Sequence, residues 1–373
     1  MILHILTDDK FTDYVIDQFE APEMQSEFVL IPINSASSLV KQLDKVRIVR
    51  YPSAEFDDLL LHLGDYSGIV LHGLSWRFDE DILRSVPDNV KVAWMFWGGE
   101  IYSRSELNDT FLAPITRTLC HLHSWSKRSN KSVSYQLPLE LYQRIDCYLT
   151  GIDEEYFYAK QFIQSNQLKH IWYTYYSTED TVGTLMQNRC IGTNVFFCNS
   201  AAEKNNMFDA IIKLSLPWNR NMLQGRKIIM PLSYGAPWIR NMMKRLGKFF
   251  FWKRFVPILD YLPREEYNQL MLDCGTIILP YWQPAAQGNI ITSLWLGMRV
   301  YLSERSMTYT FFKRIGASIF SFESDFKKYG CTPITEEEFQ TNRAVMTKWY
   351  GKQHVKQAVR DVVSILSQND EQA

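Results

Sequence analysis

Residues 280–304 read PYWQPAAQGNIITSLWLGMRVYLSE, directly after the apolar run Gly275–Leu279. The stretch predicts a buried strand, a polar loop, an apolar helix and a second strand at Val300–Leu302, which together make a βαβ unit. On leaving the buried strand, the chain presents Gln287-Gly288-Asn289 at the first turn of the helix. Free backbone N–H groups and the positive end of the helix dipole at such a turn suit a phosphate or a carboxylate.

The same pattern extends in both directions. Upstream, short β-rich runs lie at Ile2–Leu6, Phe28–Ile31, Val46–Val49, Ile69–Leu71, Val90–Trp97 and Cys147–Leu149. In the second half they lie at Asn194–Cys198, Lys227–Pro231, Phe255–Leu259, Thr276–Pro280, Val300–Leu302 and Ser318–Phe320. Most are apolar throughout instead of alternating, as expected when helices cover both faces of a parallel sheet. The expectation is therefore two doubly wound, Rossmann-like α/β domains hinged near Asn166–Trp172, with a ligand cleft between them. We place them at residues 1–168 and 169–335, followed by a helical tail at 336–373 that is free to return to the first domain.

Composition narrows the function. A chain of 373 residues with 46% apolar content fills two cores, and a net charge of −1 gives no reason to expect nucleic acid as a partner. The six cysteines are scattered without a C-x-x-C pair, which implies neither a disulfide framework nor a metal site and points to a reducing compartment. MILHIL is too short for a signal segment, and no apolar run approaches membrane-spanning length. The expected location is cytoplasmic, at most peripheral to a membrane.

Functional residues in such sheets sit at the carboxyl ends of strands. These ends carry Thr7-Asp8-Asp9, His72-Gly73, Trp97-Gly98-Gly99-Glu100, Thr150-Gly151, Asn199-Ser200, Ser233-Tyr234-Gly235 and Trp282 to Asn289. Two further loops, FCNSAAEKNNM (197–207) and MPLSYGAP (230–237), resemble phosphate or sugar cradles, although Asn199 or Ser200 also suits a helix N-cap. From residue 210 to 259 there are ten Lys or Arg and no Asp or Glu. That charge suits a nucleotide diphosphate, a lipid diphosphate or an anionic membrane, with Lys127, Arg128 and Lys131 adding to it; a solvated basic face is the alternative. Asp79-Glu80-Asp81 has the spacing of a metal-binding pair but opens a helix, where acids stabilise the N-terminus. His121-x-His123 has no third ligand near it in sequence.

The ordered set WMFWGGEIY (94–102), FCNSAAEKNN (197–206), MPLSYG (230–235) and WQPAAQGN (282–289) resembles the bacterial TDP-N-acetylfucosamine:lipid II N-acetylfucosaminyltransferases. The resemblance runs in order over roughly residues 1–325 and carries over position by position. Trp97, Gly98 and Tyr102 match a W-G-x-x-x-Y element, and Glu100 stands at an acidic position. Asn199, Ser200 and Asn205 match N-S followed by N; Pro231 and Tyr234 match P-x-x-Y; Gln287 and Gly288 match Q-G. Met95 and Met207 stand where the family carries histidine, and its arginine before Gln-Gly is absent, which leaves the donor sugar and the acceptor open.

The resemblance implies a fold of the glycosyltransferase B type and transfer of an acetamido-dideoxy sugar from a nucleotide diphosphate, dTDP in the family, to a polyprenyl-diphosphate-linked glycan. The transfer would take place at the inner face of the cell membrane. The first domain would hold the acceptor through Asp8, Trp97, Gly98 and Tyr102. The second would hold the donor through Asn199, Ser200, Asn205, Tyr234, Gln287, Gly288 and Asn289, with helix dipoles and basic side chains in place of a metal and no other cofactor. Glu100 and His72 are the candidate bases. Trp94, Trp97 and Tyr102 offer rings to sugar faces, and a carboxylate among aromatics gains basicity by desolvation, which favours Glu100. Two alternatives remain open: a non-catalytic scaffold for glycan assembly, and a nucleotide-sugar epimerase or dehydrogenase. The latter lacks its usual signature here, since TDDKFT and not G-x-G-x-x-G follows the first strand.

Overall fold

The structure, a computed structural model, describes residues 1–33, 39–107, 109–127, 135–190 and 192–367. The chain divides into two compact units: Met1–Arg104 with Ser132–Tyr176 and Gln353–Ala373, and Ser105–Lys131 with Ser177–Lys352. Arg128, Lys131 and the side chain of Lys127 lie outside the described residues, as does the end of the tail from Gln368.

The first unit holds a sheet of β1 (Ile2–Thr7), β2 (Ser26–Ile31), β3 (Arg47–Ile48), β4 (Gly68–His72), β5 (Lys91–Met95), β6 (Cys147–Thr150) and β7 (Lys169–Trp172). The order across the sheet is β3-β2-β1-β4-β5-β6-β7, and every pairing is parallel. β1 and β4 are buried along their whole length, which matches their continuous apolar runs. β7 lies where a hinge is expected, beyond the anticipated boundary at residue 168, because Cys147–Thr150 pairs with Lys169–Trp172 and draws this segment into the first sheet.

The second unit holds β8 (Asn194–Phe197), β9 (Ile228–Pro231), β10 (Phe255–Ile258), β11 (Cys274–Leu279), β12 (Arg299–Leu302) and β13 (Phe320–Ser321). Their order is β10-β9-β8-β11-β12-β13, again parallel throughout. Residues 105–131 belong to this unit and not to the first, for a local reason. Asp209 caps the helix Pro114–Lys127, accepting from Ile115 N at 2.9 Å and from Thr116 N and Oγ1 at 2.8 and 2.7 Å. Asn206 Oδ1 accepts from Ala113 N at 2.8 Å just before it.

The tail divides between the units. Helix Glu336–Tyr350 stays in the second, where a Cβ on Gly297 would lie 2.8 Å from the Phe339 ring. Helix Lys352–Ser367 buries Val355, Ala358, Val359, Val362 and Leu366. Of these, Val359, Val362 and Leu366 share a core cluster with Ile2, Leu6 and Val70 of the first sheet. Leu366 Cβ sits 2.7 Å from where a Cβ on Gly68 would be, so glycine is what lets this helix lie on β4.

Candidate functional site

Each sheet reverses its strand order once, between β1 and β4 in the first unit and between β8 and β11 in the second. Ligands of doubly wound sheets bind outside the carboxyl ends of the strands at such points.

In the first unit this place is occupied by a hydrogen-bond chain that runs from Trp97 through Tyr175 and His72 to His4. Trp97 Nε1, which can only donate, lies 2.5 Å from Tyr175 Oη. Tyr175 Oη lies 3.1 Å from His72 Nδ1, and His72 Nε2 lies 3.2 Å from His4 Nδ1, with the direction of both bonds set by the tautomers of the two imidazoles. His4 Nε2 ends the chain, buried and without a partner. Burial lowers the pKa of His4 to about 3 and that of His72 well below the ordinary imidazole value, with the neighbouring His4 adding to the shift. Both ring nitrogens of His72 are engaged, with Tyr175 and with His4, so in this geometry its imidazole helps to hold Tyr175 in place.

Trp97 is 39% exposed, whereas Trp94 and Tyr102 are buried. Of the three rings expected to face sugars, only that of Trp97 is exposed enough to do so. Trp94 packs inside against Tyr142 and Tyr148, and the Tyr102 hydroxyl donates to Glu155 Oε1 at 3.1 Å. Phe11 stacks on Tyr175 with ring centroids 5.0 Å apart, backing the Trp97 platform. Asp8 Oδ1 accepts from Leu39 N at 2.7 Å. Gly98, at φ +93°, turns the chain so that Glu100 folds back beneath β5. Glu100 Oε1 accepts from Trp97 N at 3.1 Å and Trp94 Nε1 at 3.4 Å, while Oε2 is buried with no partner in hydrogen-bonding geometry. Burial raises the Glu100 pKa, opposed by backbone N–H groups around it.

The acids of Asp79-Glu80-Asp81 have separate partners. Asp79 accepts from Trp76 N, Glu80 pairs with Arg84, and Asp81 accepts from the Tyr51 hydroxyl. One buried carboxylate was not singled out in the sequence. Glu155 accepts from Thr150 Oγ1 at 2.8 Å as well as from Tyr102, and burial lifts its pKa to about 7.

In the second unit a polar network spans the reversal point. Tyr281, just after β11, donates its hydroxyl to Asn199 Oδ1, just after β8, at 2.7 Å. Asn199 Nδ2 reaches the Tyr234 hydroxyl at 3.3 Å, beyond β9. Asn205 donates to Ser200 O and Oγ, both at 2.9 Å. Three strand ends thus share one cluster, and Tyr234 is 55% exposed beside it. The turns are pinned together by a bridge between Ala201 and Gly235; a Cβ on Gly235, at φ +108°, would lie 2.5 Å from the Ala201 carbonyl. The loop leaving this cluster also carries Lys204, whose pKa burial lowers to about 8.

The Gln287–Asn289 turn is arranged differently from the expectation. Gln287 Nε2 donates to the Tyr350 hydroxyl at 3.0 Å and Asn289 Nδ2 to the Tyr267 hydroxyl at 2.7 Å, so both side chains brace neighbouring helices. Ala286, at φ +59°, begins the helix without a side-chain cap, which leaves the backbone amides of Gln287, Gly288 and Asn289 as the turn's donors toward a ligand. Close by in sequence, Trp282 is covered by the Arg305 guanidinium at 4.4 Å. Tyr281, Lys204, Arg305, Tyr175, His4 and Glu155 are residues that sequence reading passed over. The composition of FCNSAAEKNNM was the one available signal, and it pointed to Lys204.

No protein-family model and no curated protein matches the sequence. Solved structures do match its fold. A glycosyltransferase from Rickettsia africae is 11% identical with a TM-score of 0.65, each chain covered over 99% of its length. A UDP-forming α,α-trehalose-phosphate synthase from Burkholderia xenovorans is 10% identical over 99% of both chains, with a TM-score of 0.62. HepE from Anabaena, solved in complex with UDP-glucose, is 10% identical over 98% of this chain and 99% of its own, with a TM-score of 0.60. The fold is that of the glycosyltransferase B type: two Rossmann-like units, each built on a parallel sheet.

Proposed function

We propose that the chain is a glycosyltransferase that takes its sugar from a nucleotide diphosphate donor held by the second unit. The observation that carries this reading is the Asn199–Ser200–Asn205–Tyr234–Tyr281 network at the strand reversal, where doubly wound sheets bind ligands. The uncapped turn at Gln287, Gly288 and Asn289 and the cation of Lys204 supply the electrostatic support that a departing diphosphate needs, without requiring a metal. The UDP-glucose complex of HepE, a protein of the same fold, supports a nucleotide-sugar donor.

In the finer form of the proposal, the donor is a dTDP-linked acetamido-dideoxy sugar and the acceptor a polyprenyl-diphosphate-linked glycan at the inner membrane face. This part rests on the motif resemblance. Trp97 stacks on an acceptor sugar, and Asp8 and Gly98 border it. The acceptor hydroxyl oxygen bonds to the anomeric carbon as the bond to the diphosphate oxygen breaks. The diphosphate leaves with that electron pair, and Glu100 takes the hydroxyl proton. Tyr102 supports this arrangement from inside through Glu155.

Thermal shift with a nucleotide panel tests the class. A nucleoside diphosphate at one hundred times its Kd stabilises the native state by about 2.7 kcal/mol. Stabilisation by NAD alone would indicate an epimerase or dehydrogenase, and no response to any nucleotide would indicate a scaffold.

A further inference from the structure

Within the basic run 210–259 some cations are tied to backbone carbonyls and others are exposed. Lys213 donates to the carbonyls of Phe322 and Glu323, Arg226 to Thr193 O and Arg254 to Leu223 O, so these cations are internal ties. Arg245, Lys248 and Lys253 are exposed, and among them stand Phe249 at 79% and Trp252 at 72% exposure. Helix Pro237–Phe251 turns Ile239, Met243, Gly247 and Phe251 inward, so Arg245, Lys248 and Phe249 occupy its outer face.

Helix Pro114–Lys127 shows a second such face. Thr116 and Cys120 point inward, while Ile115, Leu122 and Trp125 recur at spacings of seven and three on the opposite side. Leu122 is 56% and Trp125 82% exposed. An outward apolar stripe on a helix already packed by its other side is not what a solvated surface helix shows. His123 stacks on Trp238 at 4.4 Å, which sets the last turn of this helix beside the first turn of Pro237–Phe251. Neither helix contains an Asp or Glu.

We propose that these two helix faces form one docking surface for an anionic lipid bilayer. Leu122, Trp125, Phe249 and Trp252 enter the interfacial region, and Arg245 and Lys248 meet the headgroups. The charge selects the occupant: a second copy would set cation against cation, whereas a bilayer bearing acidic headgroups complements both helices. Aromatic side chains beside Lys and Arg are the composition that interfacial segments use. The inference deepens the reading of a lipid-linked acceptor, since it brings the second unit to the surface where such an acceptor resides.

The test is vesicle flotation of the full chain on phosphatidylcholine vesicles with and without about one third phosphatidylglycerol, at low and high salt. The vesicles contain no lipid-linked sugar, so the result is independent of acceptor recognition, and nucleotide thermal shift on the same samples reports the donor site separately. The wild type is expected to bind only the anionic vesicles and to be released by salt. L122S/W125S and F249S/W252S are each expected to lower the partition coefficient at least tenfold, and R245Q/K248Q to lower it and flatten its salt dependence, all with the nucleotide response unchanged. Binding unaffected by these variants, binding to neutral vesicles alone, or a wild-type dimer that the apolar variants dissociate would each overturn the proposal.

Discussion

Burial lowers the pKa of Lys204, on the loop that leaves the proposed diphosphate site, to about 8, and if a bound diphosphate meets this ammonium, donor affinity depends on pH in a calculable way. Burial is the main cause of the depression, with nearby Glu203 opposing it. A bound diphosphate restores the charged form, because an anion in contact favours the ammonium. Binding above pH 8 must therefore take up a proton. Between pH 7 and pH 9 the free lysine goes from about nine-tenths to about one-tenth charged, so affinity should fall about tenfold, or ~1.4 kcal/mol. Calorimetry with a nucleoside diphosphate at both pH values measures this. Lys204→Met should bind weakly and equally at both pH values. Lys204→Arg should bind without the fall, since guanidinium stays charged. A wild-type affinity that does not change over this range would remove Lys204 from the site.

Two further outcomes follow from the buried carboxylates. Glu100→Gln should reduce turnover by about 10²–10⁴-fold while nucleotide binding persists, and near-normal turnover in that variant would exclude Glu100 as the base. Glu155, with its folded pKa raised to about 7 by burial, contributes stability that is complete below its unfolded value and lost as pH rises through 7. Glu155→Gln keeps the contacts to Tyr102 and Thr150 but cannot ionise. Its melting temperature relative to wild type should therefore rise between pH 5 and pH 8, and an unchanged difference would show that the carboxyl is not held neutral.

The central strands were legible because they are buried on both faces and so appear as largely apolar runs; Ile2–Thr7 and Cys274–Leu279 are of this kind. β7 was not, because an edge strand reading Lys-His-Ile-Trp is only half covered and carries no such run. Positions at strand ends were legible, which is why Asn199, Ser200, Tyr234 and Glu100 could be named in advance. Their partners were not. Tyr175 and Glu155 lie 103 and 5 residues from His72 and Thr150, the groups they meet, and no periodic signal links them. Gln287 and Asn289 were placed on the correct turn, but their side chains bond to Tyr350 and Tyr267, which sequence spacing does not reveal.

Helix Lys352–Ser367, lying against Gly68 and β1, also sets an order of events during synthesis. The residues that complete the first core leave the ribosome only after all of Ser177–Lys352. At 5–20 residues per second, that interval is roughly 10–35 s. Throughout it the apolar side of β1 and β4 is covered only in part, by Val15, Ile16 and Phe19 of the helix Thr12–Phe19, so a nascent chain depends on chaperones or on speed for the rest, and a stop codon anywhere before Val355 leaves part of that sheet face bare.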